Sequence, residues 1–271
     1  MSINPAFFMS WKARLLMALC LLPAGLQAQS QEPVWAALAQ SRQMVVVTAR
    51  DWSATNGSMQ RFEFDLVRWH PVGPCLPVVL GRNGLGWGIG MHPPHLSGPQ
   101  KQEGDGRSPA GVFRLPYSFG YAPPDAVRAI RLPYIQCTAS VECVDDTNSA
   151  YYNIVKDRRS LEKVDWKSSE KMKLADDEYR LGVFVEHNSG PAEAGGGSCI
   201  FLHIWKGPDA PTSGCTAMSV GAMESLVGWL DPRSSPVLVQ LPLPEYERFE
   251  QEWRLPPPPA PEGADSGKKA P

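Results

Sequence analysis

Three observations make the sequence read as a mainly β protein. Its 271 residues include 24 Gly and 27 Pro, a composition that favours short strands and frequent turns over a helical bundle. Short runs rich in β-branched and aromatic residues recur along most of the chain. Only one late segment shows sustained helical periodicity. Hydrophobic residues make up 43% and charged residues 20%, so a normal globular core can form. The length suits one sizeable domain with tails.

A short helix is expected over Pro33–Gln40, with Val34, Trp35 and Leu38 apolar. Met44–Thr48 then reads as a buried strand. Phe62, Phe64, Leu66 and Val67 read as a half-buried one. Val78–Leu80, Val112–Leu115, Leu181–Val185, Cys199–Trp205 and Thr216–Met218 continue the series. Gly81–Gly111 is too rich in Gly and Pro for regular structure, and loops of that length usually cover or build a site. The charged stretch Ser168–Glu178 is expected as an exposed helix. The periodic helix begins at Ser219, a good N-cap residue, with Val220, Met223, Leu226, Val227 and Leu230 on one face. Asp231-Pro232 stops it, and Val237–Leu241 reads as a closing strand. From Leu255 the sequence LPPPPAPEGADSGKKAP is expected to be extended and mobile.

The first 28 residues read as an export signal: Lys12 and Arg14, then the short apolar run Leu15–Leu22, then Pro23, Gly25 and the small Ala28. The run is far shorter than the ~20 residues that span a bilayer, so contact with the membrane is expected only during export. A lipoprotein reading of Cys20 is disfavoured by the bulky Leu19 before it. The expected location is the periplasm. Cleavage removes Lys12 and Arg14 and no acidic residue, taking the formal charge from −2 to −4. No basic stripe with interleaved aromatics is present, so nucleic acid is not an expected partner.

Cleavage also leaves five cysteines: Cys75, Cys137, Cys143, Cys199 and Cys215. An odd number in an oxidising compartment suggests paired cysteines plus one free thiol. Cys137 and Cys143, six apart in a polar loop, form an easy local disulfide. Cys75 would pair with Cys199 if Cys215 is the free thiol, and the two as simple buried thiols is the alternative.

The segment Gly197–Ser219, GSCIFLHIWKGPDAPTSGCTAMS, carries the sharpest chemistry. A strand delivers His203, and a Gly-Pro loop returns the chain to Cys215. A cysteine that attacks an acyl carbon must become a thiolate. His203 can take its proton and later return it to a leaving amine. Gly214 allows close backbone approach, so neighbouring amides can hold an oxyanion, and the positive end of the helix from Ser219 can favour the thiolate.

These residues resemble the catalytic motif of the L,D-transpeptidases, the penicillin-insensitive peptidoglycan cross-linking enzymes: a histidine, a spacer, then Ser/Thr-His-Gly-Cys. His203 takes the first histidine; Thr212, Gly214 and Cys215 take the Thr, Gly and Cys places. Ser213 replaces the second histidine, Ala217 stands where Asn or Arg is common, and the spacer is short, as in a divergent branch. The segment Lys101–Phe113 resembles the family's Gly/Thr-Pro-x-Gly-x-Phe entry, and Asp145–Asn153 and Glu186-His187-Asn188 add support, so the likeness runs over residues 42–243.

The resemblance implies a β-sandwich with the site at one end. It divides the chain into a signal (1–28), a helical lead-in (29–41), a catalytic domain (42–243) and a charged, Pro-rich flexible tail (244–271). It implies attack by cysteine on the diaminopimelate carbonyl of a tetrapeptide stem, loss of D-Ala, and resolution of the thioester by an amine of a second stem. The partners are peptidoglycan stem peptides, and neither metal nor organic cofactor is required. Cys215 and His203 are then the catalytic pair, with Ser213, Gly214, Thr216, His187 and Asn188 as substrate contacts. His187 could line the pocket or orient His203, or simply bond backbone at a strand end. His92, His95, Glu103 and Asp105 lack the spacing of a metal site. Asp145 and Asp146 read as an acidic turn. Two rivals share these residues: an L,D-carboxypeptidase or related hydrolase, which uses water as acceptor, and a non-catalytic peptidoglycan-binding module, suggested by the missing histidine.

Overall fold

The computed structural model describes residues 33–259; residues 1–32, with the expected export signal, and residues 260–271 lie outside the described residues. In chain order the elements are α1 (Val34–Leu38), β1 (Gln43–Ala49), β2 (Asn56–Phe64), β3 (Trp69–Val79), β4 (Leu85–Trp87), β5 (Ser108–Arg114), β6 (Ser118–Gly120) and β7 (Tyr134–Gln136). There follow β8 (Val141–Val144), β9 (Val155–Asp157), β10 (Ser169–Lys171), β11 (Leu181–Phe184), β12 (Phe201–Ile204), β13 (Thr216–Met218), α2 (Val220–Trp229), β14 (Val237–Pro242) and α3 (Leu243–Trp253). The fold is mainly β, as expected.

One continuous ladder runs β4-β5-β14-β1-β2-β3-β13-β12-β11-β6-β7, and a smaller sheet runs β10-β8-β9. β1 and β14 lie parallel, with Val46 opposite Val239, and every residue of both is buried. That explains their unbroken apolar runs, since strands covered on both faces need no alternation. α2 begins at Ser219, whose hydroxyl accepts from the Ala222 amide, and buries Met223, Leu226 and Val227. Val220 faces out instead of joining that stripe.

Alternation along β11 and β12 places the site. Val183, Leu202 and Ile204 point into the main core, while Phe184 and Phe201 join a second cluster with Phe119, Tyr179, Cys143, Cys199 and Cys215. Strand side chains change face at every residue, so His203 shares the face of Phe201. The small sheet covers this second cluster, contributing Val141, Cys143 and Met172.

Five expectations need correction. The strand expected over 62–67 ends at Phe64. Leu66 and Val67 sit in the hairpin turn, 75% and 83% exposed, because Asp65 accepts from the amides of Val67 and Arg68 and fixes the reversal. β3 is far longer than Val78–Leu80 and contains Pro71, Pro74 and Pro77. It pairs with β2 along its length but with β13 only at Val79, and a mostly open edge is where a strand tolerates proline. Residues 168–178 are not a helix: Ser169–Lys171 pair with β8, and Met172 is buried.

The last two corrections concern the tail and the disulfide. Residues 244–253 of the expected tail belong to α3 (Leu243–Trp253). Its Tyr246, Phe249 and Trp253 fall on one helical face and are buried, with the Phe249 and Trp253 rings stacked at 4.3 Å. Three well-spaced aromatics outweigh the charges between them, and the Tyr246 hydroxyl then ties down Pro256 at 2.9 Å. The disulfide joins Cys143 to Cys199 across 56 residues, so neither Cys137–Cys143 nor Cys75–Cys199 forms. Cys137 is buried in the same cluster without joining the bridge. The pairing follows the packing of β8 against the segment before β12, which spacing along the chain does not reveal.

Closing a loop of that length constrains the unfolded chain by about 4 kcal/mol on the chain-entropy account. Reduction is therefore expected to lower the melting temperature markedly. Peptide mapping without reductant should recover a Cys143–Cys199 cross-link; a Cys137–Cys143 peptide would contradict the fold.

Candidate active site

β12 and β13 run parallel, with Leu202 opposite Thr216, His203 opposite Ala217 and Ile204 opposite Met218. Cys215, immediately before β13, therefore stands beside Phe201, and the Phe201 amide donates to its Sγ at 3.4 Å. Cys215 and His203 share one face as diagonal neighbours, a spacing of about 7–8 Å between backbones that long side chains can bridge. Both line a cleft of about 520 Å³ together with Lys101, Glu103, Glu170, Tyr179 and Ser213.

The loop around Cys215 is held through that residue's carbonyl. Cys215 O accepts from the Thr212 hydroxyl at 2.6 Å and the Ser108 hydroxyl at 2.8 Å. The Gly214 amide donates to Thr212 Oγ1 at 3.1 Å. Gly214 has φ +151, and a Cβ there would lie 3.1 Å from Arg107 O, so the position needs glycine. The thiol itself faces the Cys199 carbonyl at 3.6 Å. Burial pushes the Cys215 thiol well up, and the nearby Glu170 adds to this; the Phe201 amide, Lys101 and Tyr179 pull the other way. The α2 N-terminus adds little to the thiolate. It lies beyond the three residues of β13, and the dipole effect fades within about one turn.

His203 is buried with its ring edge-on to Tyr179 at 5.1 Å. Its Nδ1 lies 2.8 Å from the Ile204 carbonyl. A carbonyl only accepts, so Nδ1 carries the hydrogen and Nε2 is left as a bare acceptor. Burial holds the imidazole neutral, down to about 4, against the opposing pull of the Ile204 carbonyl. The resting pair is thus an uncharged thiol and an uncharged base.

The other expected contacts divide. Ser213 lines the cleft and its hydroxyl accepts from Arg82 at 3.1 Å. Thr216 is buried and donates to Gln240 Oε1 at 2.7 Å, so it ties β13 to β14. His187 accepts from the Ile89 amide at 3.1 Å through Nδ1 and donates to Gly196 O at 3.0 Å through Nε2. Both nitrogens are occupied, and it does not meet His203. Asn188 spends its amide on Glu193 and Gly197. These two residues brace the loop behind the site. His92 is likewise built in, between Gly88 O and the Val112 amide.

A family model described as YkuD, L,D-transpeptidase catalytic domain, matches residues 65–239. The chain belongs to that family. No curated protein and no solved structure matches the chain. The matched span of this L,D-transpeptidase domain holds Cys215, His203 and every cleft residue named above. α1, β1, β2 and α3 fall outside it and complete the core.

Sequence reasoning missed Tyr179 and Glu170. Tyr179 had a signal, a lone aromatic closing a charged stretch just before a strand. Glu170 had none, being one acid among many. Its position depends on β10 pairing with β8, where it stands opposite Cys143.

Three buried histidines make stability pH-dependent. Burial holds His92 at about 4, His187 at about 3 and His203 at about 4. The unfolded chain takes up protons below about 6.5, whereas the folded imidazoles do so only near pH 4, so their contribution is present above 6.5 and lost on acidification. At pH 5 the loss is about 2 kcal/mol per histidine. Burial raises Glu170 to about 7, which works in the opposite sense and offsets roughly one of the three. The urea midpoint should therefore fall between pH 7 and pH 5. A midpoint that holds steady or rises would show that these rings are not buried neutral.

Proposed function

We propose that the protein is an exported cysteine L,D-transpeptidase that works in the periplasm on peptidoglycan stem peptides through a thioester on Cys215. One observation carries this reading: the neutral Cys215 thiol and the bare Nε2 of His203 share one face of adjacent parallel strands and open into one cleft. The Cys143–Cys199 disulfide supports an oxidising compartment, in agreement with the export signal.

In this reading the thiol proton passes to His203 Nε2 as Sγ attacks the carbonyl carbon of the third stem residue. The tetrahedral oxyanion is held by main-chain N–H. Because the Gly214 amide is engaged by Thr212, we assign that role to the Cys215 amide. Collapse breaks the peptide bond, and the imidazolium returns the proton to the departing D-Ala amine. The amine of a second stem then attacks the thioester, gives its proton to His203 and regenerates the thiol. Substrate in the cleft displaces water, so the thiolate–imidazolium pair forms as a neutralising couple where isolated charges are disfavoured.

Mature protein incubated with disaccharide tetrapeptide should release D-Ala and form cross-linked dimers, read by mass spectrometry. Cys215→Ala should abolish both, and unchanged activity in that variant would exclude the mechanism. His203→Gln should reduce the rate by about 10²–10⁴-fold. Tripeptide without dimer would identify a hydrolase that uses water as acceptor.

A further inference from the structure

We propose that Glu170 is a positioning residue for Cys215: its carboxyl sets the direction in which the Tyr179 hydroxyl donates, and so whether the Cys215 thiolate has a donor. The proposal rests on Cys215 being the reactive thiol of the site, and it concerns groups that the proposed mechanism does not use.

Tyr179 is buried between three rings, edge-on to Phe119 at 5.8 Å, Phe201 at 5.5 Å and His203 at 5.1 Å. Its ring is thereby fixed, and only the hydroxyl hydrogen can turn. That hydroxyl donates to Glu170 Oε1; Tyr179, Glu170 and Cys215 line the same cleft and the Tyr179 ring packs in one cluster with Cys215, where a phenol donor to the sulfur favours the thiolate. A phenol has one hydrogen to give. When Glu170 is ionised it accepts that hydrogen, and the thiolate is left with a carboxylate nearby instead of a donor. When Glu170 is protonated its own O–H can be donated to the phenol oxygen, which frees the phenol hydrogen for Cys215. The chain Glu170–Tyr179–Cys215 thus reverses direction with a single proton, and Ser213 stands where the family motif places its second histidine.

The surroundings put that proton in an accessible range. Glu170 stands on β10 opposite Cys143 of β8, which is in the disulfide. Burial, and then the charges of Asp145 after β8, Glu178 before β11 and Glu103 before β5, raise it to about 7, against the pull of Tyr179. The nearby cations are engaged elsewhere: Lys101 pairs with Asp105, Lys206 with Glu178, and Lys171 with Glu142. Glu170 and Cys215 are therefore coupled titrating groups, whose apparent values belong to the pair.

The experiment is the pH dependence of iodoacetamide alkylation at Cys215, located by peptide mapping, on full mature protein. It reads the thiol alone, so its outcome is separable from the transpeptidase assay. In the wild type the rate should climb with pH and bend to a shallower slope near pH 7. Glu170→Gln, nearly isosteric, should climb straight through and exceed the wild type by about tenfold at pH 8. Tyr179→Phe should react more slowly below pH 7, and adding Glu170→Gln to it should accelerate the reaction clearly less than Glu170→Gln does in the wild type. A wild-type profile without a bend overturns the proposal and requires no variant. Equal acceleration by Glu170→Gln with and without Tyr179 also overturns it, because the carboxylate would then act through space.

Discussion

The parallel pairing of β12 with β13 is the constraint on which the site depends. Its register puts Cys215 beside Phe201 and one step from His203, and the period of two sends both side chains to the same face. A slip of one residue would turn Cys215 into the main core and leave the imidazole facing a threonine. The register is locked from both sides. Leu202, Ile204 and Met218 are buried in the main core, and the Thr216 hydroxyl reaches Gln240 on β14. Chemistry at one face is thus fixed by hydrophobic packing at the other.

Around that pair the structure separates holding from reacting. Ser108 and Thr212 grip the Cys215 carbonyl, and His187, Asn188 and Asn153 brace the loop that enters β12. Asn153 bridges the His187 and Asn188 carbonyls to the Cys199 amide. Every side-chain donor among these groups is engaged within the protein, and their worth lies in leaving no buried donor unsatisfied. The small sheet has a different part. It is tied to the segment before β12 by the disulfide, and it presents Glu170 and Asp145 to the cleft, so one wall of the site is set by a covalent link from outside the main ladder.

Much of this was legible in the residues. The apolar runs of β1, β5, β11, β12 and β14 were readable because each is buried on at least one face, and Ser219 announced α2 through its capping chemistry. The proximity of Cys215 and His203 was readable because both belong to one short segment that returns on itself. What stayed hidden depends on distant partners. The proline-bearing β3 reads as a strand only once its edge is known to be open. The helical spacing of Tyr246, Phe249 and Trp253 was masked by the acids between them. Cys143 meets Cys199 only through tertiary packing. His187 and Asn188 looked like site residues because polar side chains next to a site have the same composition whether they touch a ligand or brace a loop.

The position of β14 has a consequence for how the molecule is assembled. It is the last strand among the described residues, yet it lies inside the ladder between β5 and β1, and α3 follows directly to seal the core. Until residue 242 is available, β1 and β5 present open hydrogen-bonding edges and unburied apolar faces, the condition that promotes misassociation. Contacts of such long sequence separation also make for slow folding. The ladder is therefore completed from its C-terminal end, and a polypeptide kept unfolded until nearly all of it has been delivered avoids the exposed intermediate altogether.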